Sequence, residues 1–233
     1  MAGIAENLAK IREQIRAAAR RAHRDPATVR LVAVSKTQPV AAIREAMAAG
    51  QIIFGESRVQ EIQEKKSLLP AQAGEWHMIG PLQRNKVKVA VTLFDLMHSV
   101  DSVALAEEIH QRVAGSPPLP VLVQINMGGE PQKKGLEPAQ AEAAIRTMAR
   151  FSGLAIRGLM TIPPWNPDPE MTRPFFRGLA TLARTLNQLA IPGVSMSELS
   201  MGMSQDFAVA VEEGATLVRV GTALFGERQE PAP

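Results

Sequence analysis

Short apolar runs alternate with amphipathic stretches along almost the whole chain. The runs are rich in Val, Ile and Leu, which is typical of strands that are buried on both faces of a parallel sheet. The amphipathic stretches carry apolar residues at spacings of three and four, which is typical of helices that pack on one side. The runs predict strands over residues 31–36, 52–54, 76–79, 93–100, 121–125, 156–162, 198–201 and 217–220.

Helical periodicity fills the segments between these strands, and one more helix precedes the first of them. That N-terminal helix has a single apolar stripe, formed by Ile4, Leu8, Ile11 and Ile15. Ser204 is expected to cap the helix that ends near Glu213, because serine is a favoured N-cap residue. After the last strand only a short helical turn, over residues 222–227, is predicted.

This alternation predicts an α/β protein with a single (β/α)8 TIM-type barrel and an extra N-terminal helix. The N-terminal helix is expected to take the place in the outer ring that the short last helix leaves open. An open doubly wound sheet is the alternative architecture. One domain is expected over residues 1–228, followed by a loose tail over residues 229–233.

Composition excludes several classes of function. The net charge is only +3, and no basic run is interleaved with aromatic residues, which argues against a nucleic-acid partner. The sequence has no cysteine, so disulfides and thiolate chemistry are excluded. The N-terminal segment has no apolar core of the signal-peptide kind, and no stretch is apolar for long enough to span a bilayer. A cytoplasmic protein without a membrane partner is therefore expected.

Polar and reactive residues gather at the carboxyl ends of the predicted strands. In a (β/α)8 barrel these ends form the face that carries the active or binding site. The residues concerned are Lys36, 55–58, His77, Gly80, His98, Ser99, Asn126, Thr161, 200–204 and 219–222. Their concentration at one rim indicates a site for a small ligand.

Lys36 stands at the tip of the first strand, which reads LVAVSK. An amine at the mouth of an apolar strand is partly desolvated. Desolvation disfavours the ammonium form and so prepares the amine to attack a carbonyl. The alternative is an ordinary lysine that keeps its charged head in water.

Arg219 lies in the eighth strand, where Val218 and Val220 are expected to face the helices. Leu217, Arg219 and Gly221 would then face the barrel interior, since successive residues point to opposite faces. An unpaired buried charge is costly, so either an inward carboxylate or a bound ligand is expected beside Arg219.

Two further side chains have a structural role as the alternative to a ligand contact. His77 either faces the ligand or is a hydrogen-bonded interior histidine. Met201 is assigned to packing, although it could rest against a flat ring. No cluster of His, Asp and Glu has the spacing of a metal site.

The pair Gly221-Thr222 has the features of an anion site. Backbone N–H groups at the start of a helix attract anions, and many barrels bind phosphate in the loops after strands seven and eight. In the neighbouring loop, Ser200 supplies a hydroxyl and Gly202 permits close backbone approach. Because strand eight pairs with strand one in a closed barrel, this site and Lys36 are expected to be neighbours. Pyridoxal 5′-phosphate (PLP) fits such a site, and so does a phosphosugar in a lysine-dependent aldolase.

Several sequence blocks resemble those of one known family. They are LVAVSKTQP, FGESRVQE, WHMIGPLQRNK, HSVDS, QINMGGEPQKKGL, GLMTIPP and LSMGMSQDFAVAVEEGATLVRVGTALFGER. From about residue 4 to residue 228 the chain resembles the pyridoxal phosphate homeostasis proteins. That family in turn resembles the N-terminal barrel of alanine racemase.

The resemblance implies that PLP forms a Schiff base with Lys36. It also implies phosphate contacts from Ser200, Gly221 and Thr222, approach of Arg219 to the pyridine nitrogen, and a place for Met201 beside the ring. The chain departs from the family at Ser57-Arg58, where an Asn-Tyr pair is usual and the Asn faces the cofactor. Ser57 is therefore the candidate cofactor contact at that position. A second departure is Lys133-Lys134-Gly135, where the family has Lys-Ser-Gly.

Two functions from different classes are open. The resemblance implies a non-catalytic protein that holds PLP as a lysine Schiff base and takes part in intracellular PLP (vitamin B6) homeostasis. PLP-dependent apoenzymes would be transient recipients of the cofactor. The alternative is a PLP-dependent amino-acid racemase of low activity.

Tyrosine content separates these two functions. Racemisation needs a proton donor or acceptor on each face of the substrate Cα, and Lys36 can serve only one. In alanine racemase the other is a tyrosine from a second domain, whereas this sequence has no tyrosine. We therefore favour the binding protein, and without that second domain a monomer is expected.

Overall fold

The strands close into a barrel in the order of the sequence. The computed structural model describes residues 3–70 and 73–227. Its eight parallel strands are β1 Arg30–Val34, β2 Ile53–Glu56, β3 Glu75–Met78, β4 Leu96–Val100, β5 Leu119–Gln124, β6 Leu154–Met160, β7 Val194–Ser200 and β8 Leu217–Val220. β8 pairs with β1, with Leu31 opposite Val218. The predicted (β/α)8 barrel is confirmed, and the open doubly wound sheet is excluded.

Helices surround the barrel. They are α1 Ile4–Arg21, α2 Val40–Ala48, α3 Val59–Leu68, α4 Val87–Ala90, α5 Val103–Arg112, α6 Ala141–Met148, α7 Arg173–Gln188, α8 Phe207–Glu212 and α9 Thr222–Phe225. Short 3-10 turns precede several of them. Of the helices in residues 3–70 and 73–227, none is long and apolar enough to cross a bilayer.

α1 completes the ring of helices. It packs against α8 and α9 on one side and against α2 on the other. Leu8, Ile11 and Ile15 on its apolar stripe are at most 5% exposed. Because α9 has only four residues, it covers little of the barrel wall by itself. The expected role of the N-terminal helix is confirmed.

Side chains of the strands divide between two apolar cores. The larger core lies between strands and helices and contains Val218 and Val220. The smaller one fills the barrel interior and is formed by Val32, Ile53, Ile79, Leu96, Leu122, Met160 and Leu217. The inward direction predicted for Leu217 is therefore confirmed. Polar side chains, among them His77, His98, Ser200 and Arg219, are also buried in the barrel interior, and the candidate site lies at the carboxyl ends of the strands.

Several element boundaries differ from the sequence-based expectation; β7, for example, begins at Val194 rather than at residue 198. β4 begins at Leu96 rather than at residue 93, because Leu93 and Phe94 donate backbone hydrogen bonds to Ala90 and so finish the α4 turn. α8 begins at Phe207 rather than after Ser204. The expected loose tail over residues 229–233 lies outside the described residues, as does residue 228.

Candidate functional site

A cavity of about 290 Å³ opens at the carboxyl-terminal rim of the barrel. The sequence-predicted site residues that line it are Lys36, Ser57, Arg219, Gly221 and Thr222. The remaining lining comes from Val34, Gln38, Ile79, Ile162, 164–166, 203–206 and Gly226. This volume is close to the lower end of the range for small-molecule sites, about 300–1,000 Å³. The barrel thus brings an amine, a guanidinium and a glycine-threonine pair to one concave space.

Lys36 lies in a turn directly after β1, rather than in the strand. The turn is closed by the N–H of Gln38, which donates to the carbonyl of Ser35 over 2.9 Å. Thr37 has a φ of 65°, a conformation uncommon for a β-branched residue, and its N–H donates to Oε2 of Glu61 over 2.8 Å. The turn takes Lys36 out of the strand ladder, which is why β1 is shorter than the sequence predicted. The residue is half-buried at the edge of the cavity.

A buried ion pair supports this turn from outside the barrel. Nζ of Lys65 on α3 lies 2.7 Å from Oε1 of Glu56 and donates to the carbonyl of Ser35 over 2.8 Å. The Ser35 hydroxyl donates to the same carboxylate over 2.7 Å. Glu56 is fully buried; its burial raises the pKa of this carboxyl, and Lys65 opposes the rise. One charged cluster therefore joins the end of β2 to α3 and to the turn that carries Lys36.

Arg219 reaches the cavity from β8 and is 4% exposed. Its Nη1 donates to Oγ of Ser200 over 2.5 Å, and its Nη2 donates to the carbonyl of Thr161 over 2.9 Å. Burial lowers the pKa of Arg219 to about 10, while the charge of Asp206 acts in the opposite direction. Among the described residues, no carboxylate forms an ion pair with this guanidinium, so the inward ion pair considered from the sequence is not formed.

His77 and Ser200 lie below the cavity, in the barrel interior, and are not part of its described lining. Nε2 of His77 is 2.7 Å from Oε1 of Glu75, and its Nδ1 is 2.9 Å from Nε2 of His98. Oγ of Ser200 is 2.7 Å from Nδ1 of His98, in addition to its bond from Arg219. His77 thus has two hydrogen-bond partners inside the barrel.

Met201 and Gly202 belong to the packing of α8 rather than to the described cavity lining. Met201 is fully buried in the outer core. Gly202 has a φ of 88°, and a Cβ there would lie 2.5 Å from Cβ of Ala210. At Gly202 the close backbone approach is made to α8.

Ser204 is a site residue that the sequence analysis assigned wrongly. It does not cap α8; its Oγ accepts hydrogen bonds from the N–H groups of Gly221 over 3.2 Å and Ala223 over 3.3 Å. Those amides belong to the segment predicted to bind phosphate. The hydroxyl oxygen therefore occupies a position in which an oxygen of an anion could accept the same bonds.

Asp206 fixes the loop that carries Ser204. Its Oδ1 accepts from the N–H of Met203 over 2.6 Å, and the side chain is 5% exposed. Burial raises the pKa of this carboxyl, while the Met203 N–H and the charge of Arg219 oppose the rise.

Trp165, on the loop after β6, also lines the cavity and is 75% exposed. The sequence offered no signal for the contribution of Asp206 or of Trp165 beyond their positions after strands.

The fold and the site define the class of protein. The family model for the alanine racemase N-terminal domain matches residues 7–229. A solved alanine racemase of Clostridium difficile 630 superposes with a TM-score of 0.69 at 15% identity, over 86% of this chain and 52% of that chain. At that identity the likeness shows the fold alone: a barrel of the alanine racemase N-terminal type.

Closer relatives narrow this class to one family. The pyridoxal phosphate homeostasis protein of Pseudomonas aeruginosa is 45% identical over 234 residues, covering 100% of this chain and 99% of the relative. The protein of the same name from Escherichia coli K12 is 42% identical over 237 residues, covering 98% of each. This chain belongs to the family of pyridoxal phosphate homeostasis proteins, as its sequence blocks predicted.

A relative of known structure was solved both with and without PLP. PipY of Synechococcus elongatus PCC7942 without PLP matches with a TM-score of 0.85 at 43% identity, over 96% of this chain and 100% of that chain. The PipY structure with PLP bound matches with a TM-score of 0.83 at the same identity and coverage.

Proposed function

We propose that this protein binds PLP in the cavity at the barrel rim. The residues fit this cofactor: Lys36 offers an amine, and the amides of Gly221 and Ala223 already donate to an oxygen acceptor on Ser204. The observation that carries the proposal is the pairing of β8 with β1, which brings the amine and these amides to adjacent strand ends. The solved structure of PipY with PLP bound, at 43% identity, supports it.

Lys36 and Ser204 have separate roles in this proposal. The Lys36 amine condenses with the aldehyde of PLP to form a Schiff base, and water leaves. The phosphate takes the acceptor position that the Ser204 oxygen holds at the amides beginning α9, with Thr222 beside them. The Ser204 hydroxyl turns aside and donates to the phosphate. The family resemblance of the sequence implies a phosphate contact from Ser200. We propose Ser204 instead, because the Ser200 hydroxyl is engaged inside the barrel.

Arg219 is proposed to approach the pyridine nitrogen of PLP. With a pKa of about 10 it stays charged at neutral pH, so it donates hydrogen bonds and cannot accept a proton. PLP supplies an aldehyde and, when its ring nitrogen is protonated, an electron sink for carbanions. An arginine at that position keeps the nitrogen unprotonated. The arrangement therefore favours holding the cofactor over reacting it with amino acids.

The role we propose is that of a non-catalytic PLP carrier in intracellular vitamin B6 homeostasis. PLP-dependent apoenzymes would receive the cofactor, and the carrier would act as a cytoplasmic monomer. Ser57 lines the cavity at the position where the family has a cofactor-facing residue, so it is a further candidate contact. A weak amino-acid racemase is the second candidate; the absence of tyrosine from the sequence argues against it.

Borohydride reduction tests the proposal directly. The purified protein is incubated with PLP, its absorption spectrum is recorded, and the Schiff base is reduced and located by peptide mass spectrometry. We expect a pyridoxyl adduct on the peptide that contains Lys36. In Lys36→Ala the Schiff-base absorption should be lost, with some affinity for PLP retained through the phosphate contacts.

Lys88→Ala is the matched control, since Lys88 is exposed on α4 and away from the cavity. It should keep the absorption band and the adduct. An adduct confined to another lysine would show that the Lys36 assignment is wrong. Failure of the unmodified protein to bind PLP would overturn the proposed function.

A further inference from the structure

A chain of hydrogen-bonded side chains crosses the barrel from the cavity to the opposite face. It runs from Arg219 on β8 to Ser200 on β7 over 2.5 Å, and from Ser200 to His98 on β4 over 2.7 Å. It continues from His98 to His77 on β3 over 2.9 Å and from His77 to Glu75 over 2.7 Å. β4 and β7 are not neighbours in the barrel, so the bond between His98 and Ser200 spans its interior.

The middle of this chain is sealed from water, whereas its ends are not. Ser200, His98 and His77 are each 0% exposed. Arg219 borders the cofactor cavity at one end. The Glu75 side chain is 38% exposed at the other end and borders a separate cavity of about 560 Å³. Each interior group must therefore find its hydrogen-bond partner within the chain, because no solvent can replace one.

The two ends fix the direction of every bond between them. A guanidinium only donates and an ionised carboxylate only accepts, whereas a neutral histidine has one donor and one acceptor nitrogen. Nη1 of Arg219 donates to the Ser200 oxygen, so the Ser200 hydrogen is free to go to Nδ1 of His98. His98 then carries its hydrogen on Nε2 and donates to Nδ1 of His77. His77 in turn carries its hydrogen on Nε2 and donates to Glu75. All partners are satisfied with both histidines neutral.

The charges along the chain agree with this assignment. Burial lowers the pKa of His98 well below its usual value, and the charge of Arg219 acts in the same direction, so the ring is neutral. The hydrogen bond from His77 lowers the pKa of Glu75, so that carboxylate is ionised near neutral pH. A positive charge on His98 would lie close to the positive charge of Arg219. Two like charges in the barrel interior would be energetically costly.

We propose that Ser200, His98, His77 and Glu75 form a positioning chain that sets the orientation of the Arg219 guanidinium towards a ligand in the cavity. The proposal rests on the proposed function only for the identity of that ligand as PLP. A carboxylate paired directly with Arg219 would cover the N–H groups that a ligand needs. The chain instead connects Arg219 to a carboxylate at the far face and engages one N–H of Nη1. One N–H of Nη2 is donated to the Thr161 carbonyl, and the remaining N–H groups are left for a ligand.

The direction of the chain can be tested without any ligand. In protein labelled with ¹⁵N at histidine, the ring nitrogen shifts report the tautomer and charge of each ring near neutral pH. The sequence has four histidines, which single substitutions can assign. We expect His77 and His98 both neutral with the hydrogen on Nε2. A hydrogen on Nδ1 of either ring, or a charged His98, would overturn the proposed direction.

The positioning role is tested by PLP titration of Ser200→Ala and Glu75→Gln. Each variant should bind PLP about three- to tenfold more weakly, the effect of one lost or misdirected hydrogen bond, and should shift the absorption maximum of bound PLP. In Glu75→Gln the amide can donate as well as accept, so His77 should show mixed tautomers. Glu75 lies at the half-exposed end, so this variant is expected to fold.

Glu108→Gln is the matched control. Glu108 is a carboxylate on α5 that pairs with Arg112, and it is not a member of the chain. This change should leave the tautomers of His77 and His98, the PLP affinity and the absorption maximum unchanged. Wild-type affinity and spectra in both Ser200→Ala and Glu75→Gln would overturn the positioning role. If the unmodified protein shows the expected tautomers but binds no PLP, the proposed function is wrong and the direction of the chain still stands.

Discussion

Arg219 is the buried cation that both borders the candidate site and bonds to the barrel interior. It donates to Ser200 and to the carbonyl of Thr161 below the cavity, and it borders the cavity itself. To make these bonds in different directions at once, a side chain needs a planar group with several donors. Arginine has such a group and lysine lacks it. The buried guanidinium also remains charged, because its pKa is lowered only to about 10. At the scale of single residues, Arg219 therefore joins the barrel interior to the ligand space.

Substitution of Arg219 should weaken PLP binding in proportion to the donors removed. Arg219→Ala should raise the Kd about 5- to 150-fold, equivalent to roughly 1–3 kcal/mol for a lost charged hydrogen bond. Arg219→Glu should be at least as damaging, because it places a carboxylate where the interior accommodates a cation. The measurement is a PLP titration, accompanied by thermal unfolding to confirm that each variant folds.

Arg157→Ala serves as the control for Arg219→Ala, since Arg157 is an exposed arginine on β6. It should retain the affinity of the unmodified protein. Equal affinity in Arg219→Ala and Arg157→Ala would mean that Arg219 has only a structural role in the interior.

The turn after β1 depends on a neighbouring element, α3. Lys65 of α3 binds the Ser35 carbonyl and the Glu56 carboxylate, and Glu61 of the same helix accepts from the N–H of Thr37. The left-handed conformation of Thr37 costs about 1–3 kcal/mol unless its surroundings stabilise it. We infer that α3 supplies that stabilisation, and that the position of Lys36 follows from it.

Lys65→Met should lower the free energy of unfolding by about 3–5 kcal/mol, because it leaves the Glu56 carboxylate buried without its cation. The double variant Lys65→Met with Glu56→Met should recover most of this loss. Urea unfolding measures both. Lys10→Met is the control: the ion pair of Lys10 with Glu6 is exposed, and its removal should have little effect. A Lys65→Met variant as stable as the control would contradict the role of the buried pair.

The loss of stability in Lys65→Met should depend on pH, in a direction that the pKa of Glu56 sets. Burial already raises the pKa of Glu56 in the folded protein, and removal of Lys65 removes the main opposing influence. A carboxyl whose folded-state pKa is raised favours folding at low pH, and this contribution is lost as the pH rises through the folded-state pKa. The destabilisation of Lys65→Met should therefore be smaller near about pH 5 than near about pH 8. A larger loss at the lower pH would contradict this assignment.

Barrel closure assembles the site at the scale of the whole molecule. Pairing of β8 with β1 brings the segment that begins α9 next to the turn that carries Lys36. α1, α8 and α9 then cover the outside of this seam. The elements that meet here come from the two ends of the described chain, so the site forms only when the barrel is complete.

Racemase activity should be absent from the complete molecule loaded with PLP. Racemisation needs proton transfer on both faces of the Cα, and the tyrosine that supplies one of them in alanine racemase has no counterpart in this sequence. With L-alanine in D₂O, we expect no deuterium at Cα at enzymatic rates, which are on the order of 1–10³ s⁻¹. An alanine racemase run in parallel is the positive control. Exchange at such rates that is lost in Lys36→Ala would show that the protein is an enzyme.

The amino-acid sequence determined the architecture and some of the residues that line the candidate site. Apolar runs and helical periods predicted a closed barrel with an extra helix, because these patterns report which face of each element is buried. The same reasoning placed Lys36, Arg219 and Gly221 around one cavity, since the carboxyl ends of parallel strands share one face of a barrel. These are properties of single elements and of strand order, which local pattern specifies.

Tertiary structure alone decided which partners these residues have. The sequence placed Ser200 near the carboxyl end of the seventh strand, but only the stagger of the closed barrel sets it against His98, 102 positions away. Ser204 accepts hydrogen bonds from amides after β8 and does not cap α8, because residues 203–206 form a turn and the helix begins at Phe207. Glu56 meets Lys65 only when α3 packs on the strands. Hydrogen bonds require atoms within about 3 Å of one another, and that proximity is a product of packing rather than of local sequence.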